Sequence, residues 1–143
     1  MSDTDRTAGR ALVMELTVAL RWSDTDALGH VYHAVHLSLI EEARTAWLNR
    51  ATAAEGLWDH VVLRVAIDYR SALSLSDDPV RVTCEGVRIG RSSLGTREVI
   101  WGPENRVVAE AESTVVPWNR ETSGSRPLSD AERRSLRAIG GLV

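Results

Sequence analysis

The stretch that determines the fold class runs from residue 14 to residue 51 and reads MELTVALRWSDTDALGHVYHAVHLSLIEEARTAWLNRA. Its first part alternates between apolar and polar side chains, and the alternation predicts a half-buried β-strand over residues 14–22. Ser23 to His30 follows, a polar stretch with one glycine, and its composition predicts a loop. The apolar side chains expected on the buried face of the strand are Met14, Leu16, Val18, Leu20 and Trp22.

The hydrophobic period changes after this loop. From about Ala34 to Ala51 apolar residues recur three and four positions apart, as in Leu39, Ala43 and Trp47. The segment contains neither Gly nor Pro and is rich in good helix formers. It therefore predicts one amphipathic helix of about five turns.

Four more segments have the alternation of strands. They span about 61–69, 80–89, 93–101 and 106–118, and Gly102 to Asn105 joins the last two as a hairpin. The alternation in the second segment changes phase near Gly86, which predicts a β-bulge there. After a loop at 119–127, Ser129 and Glu132 have the spacing of a capping box, so we expect a short helix to about Ala138.

This order of elements predicts an α+β fold. One antiparallel sheet of about five strands would pack on one long helix. We expect a single domain over 1–143, with its core at about 12–119 and a C-terminal helical tail at about 129–138. The far face of such a sheet is left for water or for a second subunit.

The composition excludes several classes of protein. A net charge of -3 argues against a nucleic-acid-binding protein. No apolar run reaches the roughly 20 residues that span a bilayer, and Met1 to Arg10 lacks the apolar centre of a secretory signal, so we expect a cytoplasmic protein. The single cysteine, Cys84, allows neither an intrachain disulfide nor a cysteine-based zinc site.

A motif at the strand–loop–helix junction gives a family resemblance. Residues 21–34 read RWSDTDALGHVYHA, and Glu41 to Arg44 follow on the helix. This pattern resembles the hotdog-fold thioesterases of the 4-hydroxybenzoyl-CoA type, and it is similar to the short-chain acyl-CoA thioesterases associated with the Tol–Pal system. The resemblance implies a hotdog fold and hydrolysis of an acyl-CoA or acyl carrier protein thioester. It implies no cofactor beyond the coenzyme A of the substrate, and a homo-oligomer that is at least a dimer and is expected to be a tetramer.

The same resemblance implies site residues. Asp26, the second aspartate of the motif, matches the catalytic carboxylate, and His33 matches a further active-site residue. A carboxylate can act on a thioester as a nucleophile or as a general base, and free N–H groups at a helix start can bind the oxyanion. We therefore expect Val31, Tyr32 and Ala34 to line the site and to contribute backbone donors. Taken alone, Asp24 and Asp26 are also typical of turn or N-cap residues.

A second, shorter motif is Gly90, Arg91, Ser92 and Ser93. It is similar to the family's segment that lines the pantetheine and nucleotide channel, so these four residues are expected to bind coenzyme A. Arginines here and nearby, at 88 and 97, suit phosphate groups, although exposed strands often carry charge for solubility alone.

The sequence also departs from the family pattern. Where the family has a small polar residue followed by an aromatic one, this chain has Val35 and His36. The spacing of His30, His33 and His36 raises a metal site as an alternative, but no carboxylate is placed as a clear third ligand, and we expect no metal. Glu41 is expected to lie at a helix surface or a subunit contact. The alternative is that its side chain reaches the site. Two other functions stay open: a non-catalytic acyl-binding scaffold and a hotdog hydratase or dehydratase.

Overall fold

The computed structural model describes residues 11–56 and 58–143. Its strands and helices follow the predicted order of strand, long helix and four strands. They are β1 (Val13–Val18), α1 (Val35–Ala51), β2 (His60–Tyr69), β3 (Val80–Ile89), β4 (Leu94–Trp101), β5 (Val107–Asn119), β6 (Gly124–Ser125) and α2 (Asp130–Ala138). The expectation that residues 1–10 carry no secretory signal concerns a segment outside the described residues.

All strand pairs are antiparallel, in the order β1-β3-β4-β5-β2, and the two-residue β6 pairs with the end of β5. Helix α1 packs on one face of this sheet against β1, β3 and β4. The sheet wrapped on one long helix confirms the predicted α+β hotdog architecture. No helix of the described ranges is long and apolar enough to cross a bilayer.

The core lies between α1 and the sheet. Leu39, Ile40, Ala43 and Trp47 are buried on the inner side of the helix, as the three- and four-residue spacing predicts. The bulge predicted in β3 is confirmed by a register shift between Gly86 and Arg88. A Cβ added at Gly86 would lie 2.5 Å from Cζ2 of Trp47, so the glycine lets the indole pack directly against this strand.

Two predictions about β-strand residues are wrong. Strand β1 ends at Val18, and Trp22 is 82% exposed in a short 3-10 turn. The chain turns there because the buried Asp24 carboxylate accepts hydrogen bonds from the backbone and side chain of Arg21. The alternation over residues 61–69 predicts that Leu63 shares one face of β2 with Val65 and Ile67, which are half-buried. A register shift between Val62 and Arg64 instead leaves Leu63 68% exposed.

A charged network crosses the interior and joins α1 to the sheet. The guanidinium of Arg44, on α1, donates to Oε1 of Glu98 on β4 at 3.2 Å and to Oγ of Ser113 on β5 at 2.9 Å. The hydroxyls of Thr96 and Ser113 donate to the two carboxylate oxygens of Glu98. Arg44 also pairs with the half-buried Glu41. Because Glu98 is completely buried, its charge depends on Arg44 for compensation, whereas the buried Arg44 is paired with both Glu98 and Glu41.

The C-terminal helix begins at the predicted capping box. Ser129 Oγ accepts from the Glu132 N–H at 3.1 Å, and the Glu132 carboxylate accepts from the Ser129 N–H at 2.8 Å. The guanidinium of Arg126 donates to both oxygens of Glu132, at 2.7 and 2.9 Å. The hydrogen bonds from Arg126 are the main reason that the pKa of Glu132 falls from 4.5 to about 2.

The Arg44–Glu98 pair predicts a specific mutational pattern. Glu98→Leu leaves a buried cation without its main partner and is expected to lower the free energy of unfolding by about 3–5 kcal/mol. The double variant Arg44→Met with Glu98→Leu removes both charges and is expected to recover a large part of that loss. Urea unfolding at one fixed protein concentration measures both values. A double variant as unstable as the sum of the single variants would mean that the two charges are not coupled.

The Glu132 network predicts a dependence of stability on pH. Folding lowers the pKa of Glu132, so its stabilisation is fully present above pH 4.5 and is lost as the pH falls toward 2. Glu132→Gln is expected to lower the free energy of unfolding by about 1–2 kcal/mol near neutral pH. The difference from wild type should shrink when unfolding is repeated at about pH 3. Glu121→Gln, at an exposed loop position, is the matched control, and a pH-independent deficit in Glu132→Gln would contradict the assignment.

Candidate functional site

The loop before α1 is closed by its own backbone. The Asp26 N–H donates to the carbonyl oxygen of His30 at 2.7 Å, and the Gly29 N–H donates to the carbonyl oxygen of Asp26 at 3.0 Å. Gly29 has a φ of 75°, which a glycine adopts without the steric cost that a side chain brings. These bonds fix a tight turn at the position where the motif places its second aspartate.

The carboxylate of Asp26 is held by the same turn. Its Oδ1 accepts from the backbone N–H groups of Leu28 and His30 at 2.9 and 3.1 Å. Its Oδ2 accepts no hydrogen bond from the residues that the structure describes. The side chain is exposed, so one oxygen is anchored to the loop while the other stays accessible. Asp26 is thus both a turn residue and a carboxylate available to a ligand.

Asp24 has a different role from Asp26. It is buried, and it accepts from the Arg21 backbone N–H at 2.8 Å and from the Arg21 guanidinium at 3.0 Å. Burial disfavours the charged form of Asp24, but the bonds from Arg21 outweigh burial and leave its pKa below the ordinary value. The first aspartate of the motif therefore shapes the loop, as expected.

A cleft of about 410 Å³ lies beside the Asp26 loop. One side is the loop itself, a second is the start of α1, and the third is the end of β2 with the chain after it. The lining residues are Asp26, His30, Val31, His33, His36, Tyr69, Arg70, Ser71, Ala72 and Leu73. Two hydrogen bonds join the sides, from the Val31 N–H to the Leu73 carbonyl at 2.6 Å and from the Tyr69 hydroxyl to the His33 carbonyl at 2.8 Å.

The structure brings three of the nine expected site residues together in the lining of the cleft. Asp26, Val31 and His33 line the cleft, and the exposed ring of Tyr32 packs against that of His33 at 4.4 Å between centroids. Ala34 is the N-cap of α1 and makes no side-chain cap bond.

The backbone N–H groups near the helix start are not equivalent. The Val31 N–H already donates to Leu73, and the Tyr32 N–H donates to the Asp24 carbonyl at 2.8 Å. The N–H groups of His33 and Ala34 donate to no acceptor among the described residues. Within the segment from Val31 to Ala34, the backbone donors left for a ligand are therefore those of His33 and Ala34.

The far side of the cleft and the burial of His36 within it were not predicted from the sequence. His36 is only 4% exposed, and its Nδ1 lies 3.1 Å from the carbonyl oxygen of Tyr32. Its ring meets that of Tyr69 edge to face at 5.0 Å between centroids. Burial is the main cause that lowers the pKa of His36 and raises that of Tyr69. The sequence did carry one signal for this position, because His36 stands where the family pattern has an aromatic residue.

The three histidines of the loop and helix start all line the cleft. His30 and His33 are exposed, whereas His36 is buried. Within residues 11–56 and 58–143, no group of three or more His, Cys, Asp or Glu side chains is arranged to hold a metal ion.

The second predicted motif lies elsewhere in the same chain. Gly90 donates its N–H to the Ser93 carbonyl at 2.8 Å, which makes Gly90 to Ser93 the tight turn between β3 and β4. The Arg133 guanidinium, on α2, donates to the carbonyls of Gly90 and Arg91 at 3.0 Å. None of Gly90, Arg91, Ser92 and Ser93 is among the residues that line the cleft in the described chain.

The arginines near this turn have their own partners or face solvent. Arg88 donates to Thr114 Oγ1 at 3.3 Å, and Arg97 pairs with Glu85 and Glu110. Arg91 is exposed. Within the described chain, this turn is therefore not part of the Asp26 cleft.

Comparisons with known proteins give consistent similarities. A family model described as the thioesterase-like superfamily matches residues 20–136. The long-chain acyl-CoA thioesterase FadM of Escherichia coli (strain K12) is 28% identical over 128 residues, which cover 86% of this chain and 96% of FadM. The acyl-CoA thioester hydrolase YbgC of Escherichia coli O6:H1 is 33% identical over 105 residues, or 69% of this chain and 77% of YbgC. A thioesterase from Thermus thermophilus, solved in complex with coenzyme A and Zn, has a TM-score of 0.78 and 32% identity, covering 90% of this chain and 95% of that chain.

Proposed function

Because the chain belongs to the thioesterase-like superfamily, we propose that it hydrolyses acyl-CoA thioesters to a free acid and a thiol. The observation that carries the proposal is the Asp26 carboxylate, which lines the cleft with Oδ1 anchored and with Oδ2 unpartnered among the described residues. The curated relatives named above bear acyl-CoA thioesterase names, which supports the same substrate class. The proposed chemistry uses no cofactor other than the coenzyme A of the substrate.

Asp26 supplies the attacking group in this proposal. Its Oδ2 either attacks the thioester carbonyl carbon itself or takes a proton from a water molecule that attacks this carbon. The bonds from Leu28 and His30 to Oδ1 hold the carboxylate in one orientation, which lowers the cost of positioning it. In both routes the carbon–sulfur bond breaks, and the leaving thiolate takes a proton from water or from a group of the site. In the nucleophilic route a water then hydrolyses the anhydride between the acyl group and Asp26, which releases the acid and restores the carboxylate.

The start of α1 would stabilise the oxyanion. The N–H groups of His33 and Ala34 are free of acceptors in the described chain, and they lie where a helix start carries partial positive charge. We propose that these two N–H groups donate hydrogen bonds to the oxyanion. Val31 and Tyr32 contribute to the shape of the site. The exposed imidazole of His33 would orient the reacting groups or assist proton transfer.

The leaving group would contact a different part of the protein. Coenzyme A carries phosphates, and Arg91 is exposed on the Gly90–Ser93 turn, so we retain that turn as the contact for its nucleotide end. An acyl carrier protein remains an alternative source of the same thioester. Because the turn does not line the Asp26 cleft of its own chain, the two parts are most simply joined through a second copy.

A homo-oligomer is therefore part of the proposal. Among the described strands β2 is an edge strand, paired with β5 alone, and Val62 and Leu63 at its bulge are exposed. Apolar side chains on an unpaired strand edge are what a second copy covers. Trp22 and Leu28 are also exposed, on the loop that carries Asp26. We propose a dimer through the β2 edge as the minimum assembly, and a tetramer stays a prediction.

Replacing Asp26 tests the activity directly. Asp26→Asn keeps an acceptor for the Leu28 and His30 N–H groups but removes the carboxylate, so thiol release from acyl-CoA should fall by about 100-fold or more. The assay follows free thiol with a chromogenic reagent over a panel of acyl chain lengths. Asp130→Asn, at an exposed position on α2, is the matched control and should retain full turnover. Near-full turnover of a folded Asp26→Asn enzyme would remove Asp26 from the mechanism, and binding of acyl-CoA without thiol release by the wild type would favour a scaffold.

A charge on the β2 edge tests the assembly. Leu63→Glu places an unpaired carboxylate where the edge would be covered, and self-association should weaken by about 10-fold or more. Light scattering coupled to size-exclusion chromatography over a dilution series measures the change. Thr122→Glu adds the same charge on an exposed loop and should leave the wild-type mass unchanged. A monomeric wild type would argue against the shared site, and an unchanged Leu63→Glu dimer would place the interface elsewhere.

A further inference from the structure

His36 differs from the other polar side chains of the cleft. Of the residues that line the cleft, only Val31, His36 and Leu73 are buried, and two of these are apolar. A polar group in such a position is costly unless its hydrogen bonds are made. The hydrogen-bonding state of the imidazole therefore bears on what the cleft accepts.

The contacts of His36 fix its tautomer. Nδ1 faces the carbonyl oxygen of Tyr32 at 3.1 Å, and a carbonyl oxygen only accepts, so Nδ1 carries the hydrogen. Burial is the main cause that lowers the pKa of His36, which favours the neutral ring. In a neutral ring protonated at Nδ1, Nε2 is a hydrogen-bond acceptor.

No neighbour within the described residues supplies a donor to this acceptor. The Tyr69 ring contacts the imidazole edge to face, but its hydroxyl already donates to the His33 carbonyl at 2.8 Å. Ser71 donates its hydroxyl to the Val107 carbonyl at 3.0 Å, and Arg70 lies near the carboxylates of Asp68 and Glu110. The partner of Nε2 therefore has to come from what occupies the cleft.

We propose that His36 determines specificity by accepting a hydrogen bond at Nε2 from the acyl group, so that the cleft prefers acyl thioesters bearing a hydroxyl over unsubstituted chains of the same length. This inference rests on the proposed function, because it takes an acyl thioester as the occupant. An alkyl chain would displace water from Nε2 and leave the acceptor unpaired, whereas a hydroxyl would replace that water.

Two substitutions separate the acceptor from the shape of the ring. His36→Phe keeps an aromatic ring of similar size and removes the acceptor. His36→Gln places an amide near the position of Nε2 and keeps an acceptor there. For each protein we compare kcat/KM for a hydroxylated substrate with kcat/KM for its unsubstituted partner. Because both values come from the same enzyme sample, a smaller fraction of folded enzyme lowers both equally and leaves their ratio unchanged.

The substrates are matched pairs. Hexanoyl-CoA is compared with its hydroxylated isomers, and benzoyl-CoA with its hydroxylated forms. For at least one pair, wild type should prefer the hydroxylated substrate by about 10-fold, His36→Phe should bring the ratio near one, and His36→Gln should keep most of the preference. A wild-type ratio near one for every pair, or an unchanged ratio in His36→Phe, would overturn the role of His36.

Binding measurements keep this inference distinct from the activity itself. Calorimetry on Asp26→Asn, with and without His36→Phe, gives the affinity for the same pairs without rapid turnover. If wild type releases no thiol but Asp26→Asn binds the hydroxylated partner more tightly in a His36-dependent way, hydrolysis fails and the role of His36 stands. If thiol is released from both partners with equal efficiency and both bind equally, hydrolysis stands and the role of His36 fails.

Discussion

The contact between Arg44 and Glu98 constrains how the helix can lie on the sheet. A cation on α1 and a carboxylate on β4 are both withdrawn from water, and Ser113 and Thr96 complete the hydrogen bonds of the carboxylate. Such a pair contributes little net stability, but any packing that separates its members leaves a buried charge uncompensated. Sliding the helix by one turn would move Arg44 by about 5 Å and incur that cost. The pair therefore selects one position of α1 over the sheet.

That position fixes the site, because the first turn of α1 forms one side of the cleft. The bond from Val31 to Leu73 and the bond from Tyr69 to His33 can form only when the helix start lies beside the end of β2. The same placement leaves the N–H groups of His33 and Ala34 without partners in the described chain. The helix start is thus held by contacts on both sides, while His33, one of the two residues with an unpartnered N–H in the described chain, lines the cleft.

Local patterns predicted the parts of the fold that depend on near neighbours in sequence. The bounds of α1, the bulge at Gly86 and the capping box of α2 follow from periodicity, phase and spacing. Trp22 was misplaced because its exposure depends on how Asp24 turns the chain, and alternation does not report that turn. The far side of the cleft was missed for a related reason. Tyr69 contacts His33 and His36 from a distant part of the chain, and such a contact has no local signature in one sequence.

The chemistry and the selectivity of this cleft rest on different kinds of contact. Backbone hydrogen bonds hold the Asp26 loop, so many side chains at the intervening positions would leave its geometry intact provided that Gly29 can keep its positive φ. The polarity of the cleft depends instead on single side chains, among them His36 in the first turn of α1. His36 stands where the family pattern has an aromatic residue, and that exchange adds an acceptor without disturbing the loop. Substitution on the helix can therefore change which acyl group fits while the carboxylate and its backbone supports stay in place.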